Sequence, residues 1–152
     1  MTELTADLAS NEKFLLLARQ LAAAYQAYSL YDAKGLRKSG SDLTPSQARV
    51  LFTLGGTEGM TCKDIGEVTL ITKGTLTGVV DRLEEKGLVE RWAVEGDARR
   101  TIVALTRKGE RVYEREFPRQ VEFLKKKFDR LSARERDQAT ALLAKIEGLF
   151  AD

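Results

Sequence analysis

Apolar residues recur along this chain at two spacings, which predict mainly helical structure with one small hairpin. Spacings of three and four residues, typical of amphipathic helices, occur in four segments, residues 10–38, 44–54, 61–86 and 107–151. Residues 88–94 and 101–105 are instead rich in β-branched side chains, as strands are. The expected fold class is therefore mainly α with a small β-hairpin.

The centre of the chain, residues 61–109, begins with two short helices. Thr61 is expected to cap the first of them, with Ile65 and Val68 as its inward side chains. Only residues 69–71 separate it from the next helix. A turn of that length is typical of a helix-turn-helix.

The second helix of this pair has one apolar and one low-profile polar face. Thr72 is expected to cap it by accepting a first-turn backbone N–H, and Gly87 is expected to end it. Its buried stripe is predicted to contain Leu76, Val79, Val80 and Leu83. The opposite face carries Lys73, Gly74, Thr75, Thr77, Gly78, Asp81 and Arg82. Short hydroxyls and glycines suit a helix that enters a DNA major groove, where threonine can contact base edges or phosphates.

A hairpin is predicted to follow, with strands at 88–94 and 101–105 joined by a loop over residues 95–100. That loop is too long for a two-residue turn. Arg99 and Arg100 at its tip are the clearest local concentration of positive charge. A helix-turn-helix followed by a basic-tipped hairpin is a winged helix, with residues 59–61 available as a third strand.

Long amphipathic helices flank this centre. Residues 1–10 are expected to form a loosely held arm, and the first long helix to begin at Ser10 and fade around Lys34 and Gly35. Thr44 to Gln47 form a capping box with proline at the first helical position. Further caps are expected at Thr106 and Ser132. The apolar stripes are predicted to contain Phe117, Val121, Leu124, Phe128 and Leu131, and then Ala139, Leu142, Leu143, Ile146 and Phe150, with Pro118 kinking or breaking the first.

These stripes are too extensive for a small winged helix to cover. Residues 10–38 and 107–151 are therefore predicted to form a helical dimerisation region, in one folding unit with a winged-helix DNA-binding domain at residues 43–106. A homodimer with twofold symmetry would present two recognition helices to two DNA half-sites.

Composition excludes several other classes. The 152 residues include no histidine and one cysteine, Cys62, so the commonest general base and metal ligand is absent and no internal disulfide can form. We expect no enzyme activity, no metal and no cofactor. Net charge is +2, and nine Lys and Arg residues balance nine Asp and Glu residues over 61–110. A DNA-binding function therefore depends on where the charges lie.

The chain contains no apolar run of membrane-spanning length and no basic segment followed by an apolar core near its start. We expect a cytoplasmic protein that does not contact a membrane.

Three ordered segments carry a family resemblance: LTPSQARVLFTL (43–54), TLTGVVDRLEEKGLVER (75–91) and DARRTIVALTRKG (97–109). Together they resemble the MarR family of transcriptional regulators over nearly the whole chain. The resemblance implies a homodimer with interlocking terminal helices and one helix of each subunit in the major groove. It also implies that Arg99 reaches the minor groove while Asp97 braces the wing through an ion pair. A guanidinium suits a narrow A·T-rich minor groove, where negative potential is high.

The predicted DNA-binding residues are Thr72, Lys73, Thr75, Thr77, Arg82, Arg99, Arg100 and Lys63. For Thr75, Thr77 and Lys63 the alternative is an ordinary solvated side chain. For Arg82 it is an ion pair with Asp81 or Glu85. Arg100 could turn toward phosphate or solvent, and Arg91 on the first wing strand could be structural.

Aromatic residues indicate a possible ligand cleft between the flanking helices and the winged helix. Its candidate residues are Tyr25, Tyr28 and Phe52, with Tyr31 and Trp92 also considered; the alternative is core or interface packing. The resemblance implies a small aromatic effector. Cys62 lies at a helix N-terminus, where thiolates are stabilised. It does not match the position of the reactive cysteine in peroxide sensors of this family, so an incidental thiol is favoured over a redox switch.

The predicted function is that of a sequence-specific, ligand-responsive transcriptional repressor, binding a pseudo-palindromic operator as a homodimer. The alternative is a winged-helix dimer that acts as a protein-interaction module without specific DNA binding, which the near-neutral central segment leaves open.

Overall fold

The structure of this protein is a computed structural model that describes residues 3–151. Its helices are α1 (Ala6–Ser10), α2 (Phe14–Lys38), α3 (Pro45–Leu54), α4 (Cys62–Thr69), α5 (Lys73–Glu85), α6 (Arg107–Phe128) and α7 (Ala133–Phe150). Its strands are β1 (Met60–Thr61), β2 (Val89–Val94) and β3 (Asp97–Leu105). The mainly helical fold with a small antiparallel sheet confirms the predicted class.

Local capping signals set most helix starts as the sequence predicts. At α3, the Thr44 hydroxyl accepts the Gln47 backbone N–H at 3.2 Å, and the Gln47 side chain accepts the Thr44 N–H in return. The same reciprocal pair joins Ser132 and Glu135 at α7. These bonds satisfy backbone donors that the first helical turn leaves without partners.

The N-terminal prediction was wrong in detail. Ser10 ends the short helix α1 rather than beginning the long one, so part of the expected loose arm is helical; residues 1 and 2 lie outside the described range. The long helix α2 begins at Phe14 and continues through Gly35 to Lys38. Gly35 stays helical because it packs closely against Gln120 and Phe123 of α6, where a side chain would collide.

The hydrophobic core lies within the winged helix, between α3, α4, α5 and the sheet. Leu51, Ile65, Val80 and Leu83 are completely buried there. Val68, predicted to point inward, is 62% exposed instead. The short helix α4 uses Ile65 and Thr69, four residues apart on one face, for its buried contacts.

The sheet has the order β1–β3–β2, with Met60 opposite Val103, which confirms the predicted third strand. The predicted six-residue wing loop was wrong. Dihedral freedom at Gly96, with φ +83°, allows a turn at residues 95–96, and β3 already begins at Asp97. The register shifts between Ala93, opposite Thr101, and Val94, opposite Asp97. Residues 98–100 therefore bulge from the ladder.

The long helix α6 continues through Pro118 without a break. Its buried positions include two polar residues outside the predicted apolar stripe, Glu116 and Gln120, each 6% exposed. Glu116 accepts the Ser41 hydroxyl at 2.6 Å, and Gln120 donates to the carboxylate and carbonyl of Asp32. These bonds offset part of the cost of burying polar groups where this face packs on α2 and on the connector that follows it, although Oε1 of Gln120 has no hydrogen-bond partner within residues 3–151.

Much of the predicted apolar stripe is consequently left at the surface. Exposed large apolar side chains of α6, the turn after it and α7 are Val121, Phe128, Leu131, Leu142, Leu143, Leu149 and Phe150, and those of α2 include Phe14, Leu16, Leu17 and Leu30. Within residues 3–151, no helix combines the length and the apolarity needed to cross a membrane.

Candidate nucleic-acid interface

A surface groove of about 550 Å³ lies between the first turns of α4 and α5 and the first half of wing strand β3. We call it the wing groove. It is lined by Thr61, Cys62, Lys63, Asp64, Lys73, Arg99, Arg100 and Thr101. Four of the predicted DNA-binding residues, from three separate segments, therefore meet at one place.

Positive charge is concentrated in the wing groove although the protein as a whole is nearly neutral. Lys63, Lys73, Arg99 and Arg100 face one lining carboxylate, that of Asp64. Across the described residues, none of these four cations forms an ion pair. Unneutralised cations along a groove create the positive potential that attracts a polyanion.

Asp97 and Arg99 interact differently from the expected ion pair. Oδ1 of Asp97 accepts the backbone N–H of Arg99 at 3.1 Å, and the two side chains form no ion pair. The aspartate therefore braces the bulged start of β3 through the main chain. This bond leaves the Arg99 guanidinium available to the wing groove, with its five donors unused by Asp97.

The N-terminus of α5 also departs from the prediction. Thr72 occupies the N-cap position, but its side chain accepts no backbone N–H; its hydroxyl donates to the Thr75 hydroxyl at 3.2 Å. The first backbone N–H groups of α5 are therefore not capped by Thr72. Such groups, together with the helix dipole, form a favourable site for a phosphate oxygen. Thr77 is exposed one turn further along and donates to the Lys73 carbonyl at 3.2 Å.

Arg82, in the last turn of α5, and Arg91, on strand β2, have different surroundings. Arg82 is exposed and pairs with neither Asp81 nor Glu85, so the intrahelical alternative was wrong. Asp81 pairs instead with Arg91 of β2, which also binds Glu84. The structure therefore supports a structural role for Arg91, which was one of the interpretations open from the sequence.

A second cavity, of about 280 Å³, lies between α2, α3 and α6. Tyr28 and Phe52 line it as predicted, with Phe117 5.3 Å from Phe52 between ring centroids. Tyr25, three residues before Tyr28 on α2, does not line it and is 64% exposed. Trp92 lies on wing strand β2, opposite Ile102, far along the sequence from these helices.

Sequence reasoning missed the polar residues of this α2–α3–α6 cavity, which are Asp32, Arg49 and Gln120. Helical spacing could have indicated two of them, because Asp32 lies four residues after Tyr28 and Arg49 three before Phe52. Nη1 of Arg49 lies 3.5 Å from the Thr69 carbonyl oxygen, at the end of α4. Burial, and secondarily the Asp32 carboxylate, raise the pKa of the Tyr28 phenol.

The fold and the wing groove together define a class. A helix-turn-helix with an exposed second helix, followed by a hairpin whose second strand carries unpaired arginines near its start, is the winged helix of a DNA-binding transcriptional regulator. Comparison with known proteins assigns the chain more closely. The sequence profile of the MarR family matches residues 41–100.

Similarity extends beyond that segment. The chain is 31% identical over 136 residues to the HTH-type transcriptional regulator MhqR of Bacillus subtilis, covering 90% of this chain and 92% of MhqR. A crystal structure of PcaV from Streptomyces coelicolor with its natural ligand has a TM-score of 0.70 and 28% identity, covering 97% of this chain and 98% of PcaV. A mutant of MarR from Escherichia coli, complexed with operator DNA, has a TM-score of 0.76 and 26% identity, covering 90% of this chain and 99% of that mutant. This chain belongs to the MarR family of transcriptional regulators, which are not enzymes.

Proposed function

We propose that this protein is a ligand-responsive transcriptional repressor that binds a pseudo-palindromic operator as a homodimer. The wing groove is the observation that carries the proposal, because it unites four unpaired cations beside the open N-terminus of α5. Residues 43–106 act as the DNA-binding domain. The complex of the related E. coli MarR with operator DNA supports this assignment.

Each residue of the interface has a role that follows from its position. Thr72, Lys73, Thr75 and Thr77 enter the major groove with α5, and Arg99 reaches the minor groove from the wing. Lys63 and Arg100 contact backbone phosphates at the edges of the wing groove. Arg82, exposed and unpaired with its acidic neighbours, contacts phosphate further along α5.

Dimerisation is proposed from the apolar surface outside the winged helix. Residues 10–38 and 107–151 expose large apolar side chains on α2, α6 and α7, and a second copy of the chain would cover them. The substitution Leu143→Glu would place a charge in this interface. We expect it to give monomers by analytical ultracentrifugation, whereas Glu147→Gln, at an exposed charged position of the same helix, leaves dimers.

Ligand response is proposed from the cavity between α2, α3 and α6, where Tyr28 and Phe52 offer aromatic walls to a small aromatic effector. The structure of the related PcaV with its natural ligand supports the proposal that this protein binds a small molecule. A ligand that binds better to a dimer with unsuitable helix spacing would release the operator.

The deciding experiment measures binding to the DNA upstream of the protein's own gene by fluorescence anisotropy, against random duplex and over a range of salt. We expect specific binding that weakens steeply with salt, because several phosphates are contacted. Arg99→Ala should lower affinity about tenfold or more, while Arg37→Ala, at an exposed cation of α2, should not. Equal binding to operator and random duplex would overturn specific recognition and favour the protein-interaction alternative.

A further inference from the structure

A second cationic groove lies away from the wing, where the connector after α2, the end of α5 and the first half of α6 meet. Its volume is about 300 Å³, and we call it the junction groove. Four cations line it: Lys86, Lys108, Arg111 and Arg115. The family comparisons and the proposed DNA interface assign no role to it.

Two of these cations are held in place without being neutralised. Nζ of Lys86 donates to the Asp42 carbonyl and to Oε1 of Gln47, both at 3.0 Å, and Nζ of Lys108 donates to the Lys86 carbonyl at 2.8 Å. All three acceptors are neutral oxygens. Since an ammonium group has three donors, each of these lysines keeps at least one unused N–H.

The arginines add donors suited to an oxyanion. Arg111 has acidic sequence neighbours in Glu110 and Glu114, yet it forms no ion pair or side-chain hydrogen bond within residues 3–151. Arg115 is partly satisfied by Glu116, with Nη2 3.1 Å from Oε1. A guanidinium presents parallel N–H groups that match two oxygens of a phosphate group.

The walls of the junction groove strengthen this field. Leu88, 3% exposed, and Val112 provide apolar surface between the charged groups, and Asp42 is the one carboxylate among the lining residues. Low-dielectric walls lined by charge of one sign raise the local concentration of counter-ions. Four cations facing one carboxylate leave a net positive site.

Its position separates this site from the wing groove. Lys86 follows the C-terminal end of α5, about 14 Å along the helix from Thr77 and about 21 Å from Thr72, which bound the residues proposed to enter the major groove. We propose that the junction groove binds the phosphate group of a small molecule, held by Lys86, Lys108 and Arg111. Such a ligand would join the end of the recognition helix to α6 and restrict their relative movement.

The test uses inorganic pyrophosphate as the probe and isothermal titration calorimetry on the full chain at constant ionic strength. We expect saturable binding of one pyrophosphate per chain with a dissociation constant below about 1 mM. Arg111→Gln should weaken it at least tenfold and should fold normally, because Arg111 has no partner to lose. Arg119→Gln, eight residues further along α6 and outside the lining, is the matched control and should bind as the wild type does.

Three outcomes would overturn the proposal. Heat no greater than that for chloride at the same ionic strength would mean that no site exists. Equal weakening by Arg111→Gln and Arg119→Gln would indicate diffuse attraction to a basic surface. If Arg111→Gln weakened the binding of random duplex DNA as much as the binding of pyrophosphate, the junction groove would be a contact for the DNA backbone and not a site for a small ligand. None of these outcomes depends on whether the wing groove binds an operator.

Discussion

Nη2 of Arg91 on β2 lies 2.8 Å from Oδ1 of Asp81 on α5 and 2.9 Å from Oε1 of Glu84, one turn further along the helix. A third bond joins Nε of Arg91 to Oε2 of Glu84 at 3.1 Å. The guanidinium thus ties the first wing strand to the recognition helix. Because the proposed interface uses both elements, we expect Arg91 to act as a positioning residue for it.

This arrangement predicts a pH effect. The Arg91 hydrogen bonds hold the pKa of the Glu84 carboxyl below its ordinary value of 4.5. A carboxyl with a lowered folded-state pKa stabilises the fold above its unfolded pKa, and this contribution is lost as pH falls through the folded pKa. In Arg91→Met, the Glu84 pKa measured by NMR titration should rise toward 4.5, and less stability should be lost on acidification. Arg82→Met is the control, and an equal change in both variants would contradict the assignment.

Gly78 lies on the exposed face of α5, and nothing lies within 4 Å of the position that a Cβ would occupy. Gly78→Ala should stabilise the fold by about 0.5–1 kcal/mol, since glycine is the poorer helix former. The added methyl group should nevertheless weaken operator binding if this face enters the major groove. Gly148→Ala, in similarly open space on α7, is the control for the helix-forming effect and should stabilise the fold to a similar extent. If the Gly78→Ala protein were more stable but bound the operator with unchanged affinity, this face of α5 would not be part of the interface.

Leu70, in the turn between α4 and α5, has φ +60°, the one positive value among the non-glycine residues described. Its side chain is 80% exposed, so little packing would be lost on its removal. Relief of left-handed strain should outweigh the entropy cost of glycine, so Leu70→Gly should stabilise the protein by about 0.5 kcal/mol. Gly87→Ala, at φ +71°, should change stability in the opposite direction. Denaturant midpoints provide the measurement, and a destabilised Leu70→Gly would show that the turn is not strained.

The burial of Tyr28 leads to a prediction about stability at high pH. Its pKa is raised above 10.0, first by burial and then by Asp32. Because the folded state favours the neutral phenol, the protein should lose stability as pH rises past the unfolded value of about 10. In absorbance titrations, Tyr28→Phe should remove an ionisation that lies above the ordinary value of 10.0, and Asp32→Asn should lower the pKa of Tyr28. A Tyr28 pKa that stays the same in Asp32→Asn would contradict the role assigned to Asp32.

Local chemistry explains what could be predicted from the sequence. A capping box such as Thr44 with Gln47 joins residues three positions apart, so it is complete within the segment that contains it. The same holds for the helical period that correctly marked Leu76, Val80 and Leu83 as buried. The four cations that meet in the wing groove were also singled out from the sequence, because the helix-turn-helix and the wing are neighbours along the chain.

The sequence by itself thus determined the winged helix, most of its caps and most of the residues it exposes on α5, since these depend on interactions over a few residues. Only the tertiary structure decided that Glu116 and Gln120 are buried, because their partners Ser41 and Asp32 lie more than seventy residues away. The α2–α3–α6 cavity and the junction groove likewise arise where distant segments meet. Helical periodicity defines faces, but which face is covered depends on packing between segments remote in the sequence.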